Sequence, residues 1–239
     1  MQEMRDEVGF QAVTIPHITK KELYEKSGHW SKFSEELVRI QSREGYEFAM
    51  KPMNCPHHTQ IYASRPRSYR ELPIRYRETT MNYRDEQTGE LNGLARTRAF
   101  TQDDAHIFCR EQHISQEVAN IWGIIQTFYG VFNFPLSLRI STRDDSGEYA
   151  GTDEQWEFAE KQLRDFVKNG QHDMDVEEEG VGDAAFYGPK LDFMAKDSLG
   201  RQWQVATIQL DFSQPEGLGL TYIAEDGTEK RPLMIHCAV

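Results

Sequence analysis

The segment from Arg96 to His106 carries the densest set of chemically capable side chains. Its even positions are Arg96, Arg98, Phe100, Gln102, Asp104 and His106. A β-strand sends alternate side chains to one face, so in an extended chain these six share a surface. A face exposed only to water would carry Lys, Glu and Thr. Two guanidinium groups, an amide, a carboxylate and an imidazole in register instead predict a site for a charged ligand.

A second concentration lies upstream. Arg65, Arg67, Arg70, Arg75, Arg77 and Arg84 precede this segment, and residues 65–98 hold eight bases against five acids. The planar fork of arginine suits phosphate oxygens, so converging arginines could hold a triphosphate without a glycine-rich loop. No G-x-x-x-x-G-K-[ST] pattern occurs. The competing reading pairs these arginines with Glu71, Glu78 and Glu90 as ordinary salt bridges. Candidate metal ligands are Cys55, Cys109, Cys237, His29, His57, His58, His106 and His236. Without a C-x-x-C pair or H-E-x-x-H, neither a closed structural zinc site nor a zincin peptidase is expected. A dispersed three-ligand site, leaving a fourth position for substrate, stays open.

These residues sit in a chain of 239, with 27 basic and 39 acidic side chains and a net charge of −12. That balance excludes a basic coat for nucleic acid, although a local basic surface can still bind RNA. With 38% hydrophobic and 11% aromatic residues the chain can bury a core despite a mean hydropathy of −0.70, which excludes a disordered acidic tail. Three cysteines predict a reducing compartment. No stretch approaches the ~20 apolar residues of a membrane span, and the acidic start lacks the pattern of a signal peptide. The expectation is cytoplasmic.

The elements that must position the candidates follow from pattern. A helix tail precedes a strand over Gln11 to Ile15, stopped by Pro16. Thr19 to Glu22 has the form of a capping box opening a short helix that ends at Gly28. Strands over Leu37 to Gln41 and Tyr46 to Met50 flank a hairpin loop, and Pro56 favours a helix to about Ala63. Ile74 to Arg84 and Arg96 to Phe108 read as two long antiparallel strands. Val118, Ile121, Ile125, Phe128 and Val131 form the apolar stripe of a helix beginning at Ile114. A strand over Ser137 to Ser141 leads to a capping box, Thr152 to Gln155, and a helix that turns Trp156, Leu163 and Phe166 or Val167 inward before Asn169-Gly170. Asp173 to Asp183, with six acids, reads as a solvated loop or edge. Strands over Leu191 to Lys196, Trp203 to Phe212 and Leu218 to Ala224, the last turning at Asp226-Gly227, complete one α+β domain with a mostly antiparallel sheet.

Three segments carry a specific resemblance: Met50-Lys-Pro-Met-Asn-Cys-Pro-His-His58, Arg84-Asp-Glu86 and Gly93-Leu-Ala-Arg-Thr-Arg-Ala-Phe-Thr-Gln-Asp-Asp-Ala-His-Ile-Phe-Cys109. They resemble the catalytic domain of threonyl-tRNA synthetases, class II aminoacyl-tRNA synthetases. Matches continue at Lys26 to Trp30, Ala185 to Lys190, Gln204 to Phe212 and Pro232 to His236. The resemblance implies a mostly antiparallel sheet flanked by helices. It implies a Zn2+ ion on Cys55, His106 and His236, with the amino and hydroxyl groups of threonine completing its coordination. Gln102, Asp104, Tyr187 and Gln209 would line the threonine pocket. Arg84, Glu86, Arg96, Phe100, Gln204 and Thr207 would hold ATP with its Mg2+, and Arg84 and Lys190 would serve catalysis. Gln204 has the opposite strand parity from Thr207 and Gln209, so all three can face one site only through a bulge. The implied reaction forms threonyl-adenylate and passes threonine to tRNA(Thr), in a homodimer formed through the first class motif, whose proline is matched by Pro16.

The family pattern continues past the last histidine with an arginine and then a third motif whose arginine binds the γ-phosphate. Here Cys237 takes the first arginine's place and the third motif is not present. The expectation is a catalytic core, residues 1–239, cut within the first motif and before the third, lacking the editing and anticodon-binding domains. Zinc and threonine binding are then expected to survive and adenylate formation to be weak. The alternatives are a non-catalytic relative that binds threonine, ATP or tRNA without turnover, and a zinc hydrolase using Asp104 as base.

Overall fold

A computed structural model describes residues 1–170 and 174–239. Helix α1 (Gln2–Glu7) leads to the short strands β1 (Gln11–Ala12) and β2 (Ile18–Lys20). Helices α2 (Lys21–Lys26) and α3 (His29–Lys32) follow, then β3 (Arg39–Gln41), β4 (Glu47–Met50) and α4 (Cys55–Ala63). The long strands β5 (Ile74–Tyr83) and β6 (Ala99–Cys109) precede α5 (Ile114–Val131), β7 (Leu136–Thr142) and α6 (Asp153–Asn169). After β8 (Asp175–Val176) and β9 (Gly180–Val181) come β10 (Lys190–Lys196), β11 (Gln202–Asp211), α7 (Ser213–Gly217), β12 (Tyr222–Ile223), β13 (Glu229–Lys230) and β14 (Leu233–Ala238).

Among the described residues the main sheet has nine strands in the order β1-β5-β6-β14-β11-β10-β7-β8, with β9 also beside β7. Its centre is antiparallel, and only the edge strands β1, β8 and β9 pair in parallel. One face is apolar. Ala105, Ile107, Ile235, Ile208, Leu191 and Phe193 pack there against Val118, Ile121 and Ile125 of α5 and Trp156, Ala159 and Leu163 of α6. Each large side chain so buried contributes ~1.5–3 kcal/mol. On the opposite face α4 covers one end through Cys55 and Tyr62 against Tyr76, Phe108 and Met234, and the rest is left concave and polar. The small sheet β2-β4-β3 carries α2 on its own small core, and α3 with the loop after it supplies His29, Lys32, Phe33 and Glu36 to the wall of that concavity.

Several expectations are corrected. The strand from Gln11 stops at Ala12, and Thr19 lies in β2, where its hydroxyl meets His57 Nε2 at 2.6 Å instead of capping α2. Strand β6 begins at Ala99, because residues 92–96 fold back on themselves through Asn92 N to Arg96 O and Ala95 N to Asn92 O. Arg96 and Arg98 therefore precede the strand. The apolar stripe of α5 leaves the core after Ile125, and Val131 is 79% exposed, since the helix runs past the sheet. The acidic stretch takes the edge form of its expected reading, with β8 and β9 paired to β7 and tied by Glu177 to Arg139 and by Glu179 to Arg164; Asp173 lies outside the described residues. The predicted strand over Leu218 to Ala224 shrinks to β12, which pairs with β13 and bridges to Ser68 outside the main sheet. The neighbour of β11 in the main sheet is β14. The second capping box forms as expected at Thr152 and Gln155. No helix among the described residues is long and apolar enough to cross a membrane.

Candidate active site

Strand register assembles the site. Residues directly opposite in an antiparallel pair share a face. His106 stands opposite His236, His236 opposite Gln209, and Gln209 opposite Lys190, a row across β6, β14, β11 and β10. The next row runs Asp104, Ala238, Thr207, Asp192. Between β10 and β11 the register shifts: Phe193 pairs with Ala206 but Met194 with Gln204. Val205 is the extra residue, and this bulge lets Gln204 join Thr207 and Gln209 along one cavity of about 820 Å³. Every metal, threonine or ATP ligand and catalytic residue named from the resemblance lines that cavity, including Cys55, Arg84, Glu86, Arg96, Phe100, Gln102, Asp104, His106, Tyr187, Lys190 and His236.

The closed end is buried. Cys55 opens α4, and its sulfur and one nitrogen each from His106 and His236 all lie within 4.8 Å of one another. His106 Nε2 is 3.1 Å from His236 Nδ1. Burial and the neighbouring His236 and His58 push the His106 pKa well down, so its imidazole is neutral and offers a lone pair. Burial pushes the Cys55 thiol up, and a bound cation would reverse that by stabilising the thiolate. A thiolate and two imidazoles with one side open to the cavity are a donor set that fits zinc. Burial also pushes Asp104 up to about 6, although its Oδ2 accepts the Asn54 N–H at 2.8 Å. The ring of Tyr187 stacks on His236 at 4.7 Å, and its hydroxyl donates to Gln209 Oε1. Gly188 permits this packing, because a Cβ there would come within 1.9 Å of the Leu210 carbonyl oxygen.

The open end carries the arginines. The Arg84 guanidinium lies 5.2 Å from the Phe100 ring and 5.6 Å from that of Phe33; its buried Nε has no partner, and no carboxylate lies within salt-bridge distance among the described residues. Arg96 is 48% exposed and donates to Glu86 at 2.7 Å. Arg98 donates to the Glu86 carbonyl oxygen at 3.0 Å. Lys190 reaches Asp192 at 2.8 Å, and Asp192 also accepts from Ser141 at 2.7 Å.

The arginine cluster divides. Arg75 pairs with Glu117, Arg77 with Asp6, and Arg65 and Arg67 with Glu71 beside a separate cavity of about 330 Å³. The salt-bridge reading therefore holds for these four, with partners at Glu117 and Asp6 that sequence proximity does not reveal. Buried Cys237 receives a hydrogen bond from Arg5, which also pairs with Asp103 at 2.9 Å. His29 enters the sequence reading only as one of eight candidate metal ligands; it lines the cavity with Nε2 3.8 Å from Cys55 Sγ. Its position in Lys26 to Trp30 is the signal that could have found it. Asp211 and His58, which back the two histidines, lie in the matching segments Gln204 to Phe212 and Met50 to His58; His58 is named there only as a candidate ligand and Asp211 has no role.

Residues 36–239 match the family of the tRNA synthetase class II core domain (G, H, P, S and T). The chain is 45% identical over 240 residues to the threonine–tRNA ligase of Deinococcus radiodurans and 46% identical over 244 residues to that of Thermus thermophilus. Each alignment spans all of this chain but only 36% and 37% of those relatives. Among solved structures it resembles the RNA binding domain of threonyl-tRNA synthetase from Cryptosporidium parvum, with TM-score 0.90 and 38% identity, covering 100% of this chain and 58% of that one. A prolyl-tRNA synthetase of Giardia lamblia in complex with prolyl-adenylate, 14% identical with TM-score 0.70 over 99% of this chain and 42% of that one, shares the fold. The chain belongs to the class II tRNA synthetase core-domain family, and threonine–tRNA ligases are homologues of it at about 45% identity along its whole length.

Proposed function

We propose that this chain is the part of a threonine–tRNA ligase that joins threonine to ATP and passes the activated amino acid to tRNA(Thr). The observation that carries this reading is the meeting, in one cavity, of a buried Cys-His-His cluster and an arginine-lined end. Zinc held by Cys55, His106 and His236 would supply a Lewis acid for the amino and hydroxyl groups of threonine. Asp104 accepts a hydrogen bond from the hydroxyl, and Gln102, Tyr187 and Gln209 close the pocket around the side chain. A site built for a hydroxyl rejects valine by roughly 10⁴-fold or more. Serine lacks only a methyl, worth ~1–3 kcal/mol, so its exclusion has to be completed elsewhere.

At the open end Phe100 stacks on adenine, Glu86 accepts from its amino group, and Arg84 contacts the α-phosphate. Arg96, Gln204 and Thr207 hold the remainder of ATP, which brings its own Mg2+. The threonine carboxylate attacks the α-phosphorus in line and pyrophosphate leaves. Arg84 and Lys190 stabilise the charge that develops there. The terminal ribose hydroxyl of tRNA then displaces AMP. Positioning and electrostatics suffice, so no side-chain nucleophile is required. Assembly as a homodimer through the region of α1 and Pro16 belongs to the same reading.

Calorimetric titration of the zinc-loaded chain with threonine and with valine tests it. Threonine is expected to bind and valine to give no heat; equal binding of the two, or no zinc in the protein, overturns the reading. Threonine-dependent pyrophosphate exchange measures how much of the ATP half the chain carries alone, and the expected rate is low.

A further inference from the structure

The two histidines of the cluster are each held from behind by a different kind of group. His236 Nε2 lies 2.8 Å from Asp211 Oδ2, and the other oxygen of Asp211 accepts the backbone N–H groups of Ser213 and Gln214 at 2.9 Å each. His106 Nδ1 lies 2.8 Å from His58 Nδ1. All four side chains are buried, Asp211 and His58 completely so. The nitrogens left facing one another in the cluster are His106 Nε2 and His236 Nδ1.

We infer that Asp211 and His58 are positioning residues that set which nitrogen of each histidine is free to bind zinc: Nδ1 of His236 and Nε2 of His106. The inference rests on the zinc reading above. A carboxylate can only accept, so Asp211 requires the proton of His236 on Nε2 and leaves the Nδ1 lone pair for a cation. At His106 the direction is fixed by the cation itself. A lone pair used at Nε2 puts the ring proton on Nδ1, which must then donate to His58 Nδ1. That in turn places the proton of His58 on Nε2, a buried atom with no hydrogen-bond partner. One ligand is thus backed by a negative charge and the other by a neutral ring. The carboxylate of Asp211 and the thiolate of Cys55 together match the two charges of zinc. Asp104 is then left outside the zinc's own charge balance, free to meet the substrate's ammonium and hydroxyl groups.

The decisive variant is Asp211→Asn. The amide oxygen can still accept from Ser213 and Gln214, so α7 keeps its cap. Its NH2 then faces His236 Nε2, demands an acceptor there, and moves the ring proton to Nδ1. Zinc affinity of the full chain, measured by competition with a chromophoric chelator, is expected to fall ~10–100-fold, the usual cost of losing such a backing group. The melting temperature of the metal-stripped protein serves as the fold control and is expected to stay within a few degrees. Proton-detected ¹⁵N spectra of the histidine rings are expected to show zinc on Nδ1 of His236 and Nε2 of His106. In a His236→Ala background, Asp211→Asn is expected to change zinc affinity no further. His58→Phe, which keeps a ring but removes the acceptor, is expected to weaken zinc by a smaller factor than Asp211→Asn.

A wild-type chain that binds no zinc removes the zinc reading itself. Wild-type binding with an Asp211→Asn affinity within twofold of it, or ligation through the opposite nitrogens, overturns this inference alone. An equal loss from Asp211→Asn with and without His236 also overturns it, because Asp211 would then act through the fold.

Discussion

The two ends of the cavity are built on different principles. At the closed end Cys55, Asp104, His106, Tyr187 and His236 are all buried, and their geometry is held by backbone register and by Asn54, Asp211 and His58. At the open end Arg96 is half-exposed and satisfied by Glu86, while Arg84 rests on aromatic rings with a donor unspent. Preorganised, water-excluded groups discriminate between similar small ligands, because a missing partner there leaves a buried polar atom unsatisfied. Exposed arginines exchange one carboxylate for a phosphate at small cost, which suits a ligand common to many enzymes. On the proposed reading, specificity belongs to the closed end and nucleotide capture to the open one.

Breaking the closed end should have the largest effect. Cys55→Ala is expected to take metal content, measured by atomic emission, from ~1 per chain to near zero and to abolish threonine binding while ATP binding persists. A loss of both ligands together would erase the distinction between the ends. Arg84→Ala is the counterpart at the open end, expected to cut pyrophosphate exchange by ~10²–10³ with threonine affinity unchanged. Arg84→Lys should recover little of it, since a point charge does not replace the planar fork.

Stability should follow the same division. Lys51 and Glu78 form a buried pair 3.5 Å apart behind the closed end, and Lys51 also donates to Asn54, the residue before Cys55. Lys51→Met leaves Glu78 buried without its cation and is expected to cost ~3–5 kcal/mol in urea unfolding. Deleting Val205 removes the bulge and turns Gln204 away from the cavity; nucleotide affinity, read by fluorescence quenching, is expected to weaken severalfold with threonine affinity unaffected. Smallest of all, Arg96→Ala is expected to change stability by no more than ~1 kcal/mol, because Arg96 itself is half-exposed and its pairing with Glu86 is screened by solvent.

How far the site was legible varies residue by residue. The alternation of Phe100, Gln102, Asp104 and His106 could be read directly, because they do lie in one strand and period two fixes their face. Arg96 and Arg98 could not, since the fold-back at residues 92–96 is a loop hydrogen-bond pattern without a periodic signature. The parity conflict at Gln204 pointed to a bulge, and the register shift at Val205 supplies it. Thr19 had the right spacing for a helix cap but found His57 in space, a partner 38 residues away. His236 is a case of its own: six residues of β14 carry no turn or alternation strong enough to name a strand, and only the resemblance singled it out from the other candidate ligands.

Local pattern by itself determined the elements with strong periodicity, the second capping box, the polar face of β6 and, through specific motifs, the family. Those depend on contacts within a few residues, where spacing and side-chain chemistry are written directly in the chain. The tertiary structure alone decided that His106, His236, Gln209 and Lys190 form one row, that Arg75 and Arg77 turn to Glu117 and Asp6, and that Asp211 and His58 stand behind the two histidines. Each of these is set by strand order and register between segments up to 130 residues apart. Such pairings minimise the free energy of the whole sheet and leave no mark on any single stretch of sequence.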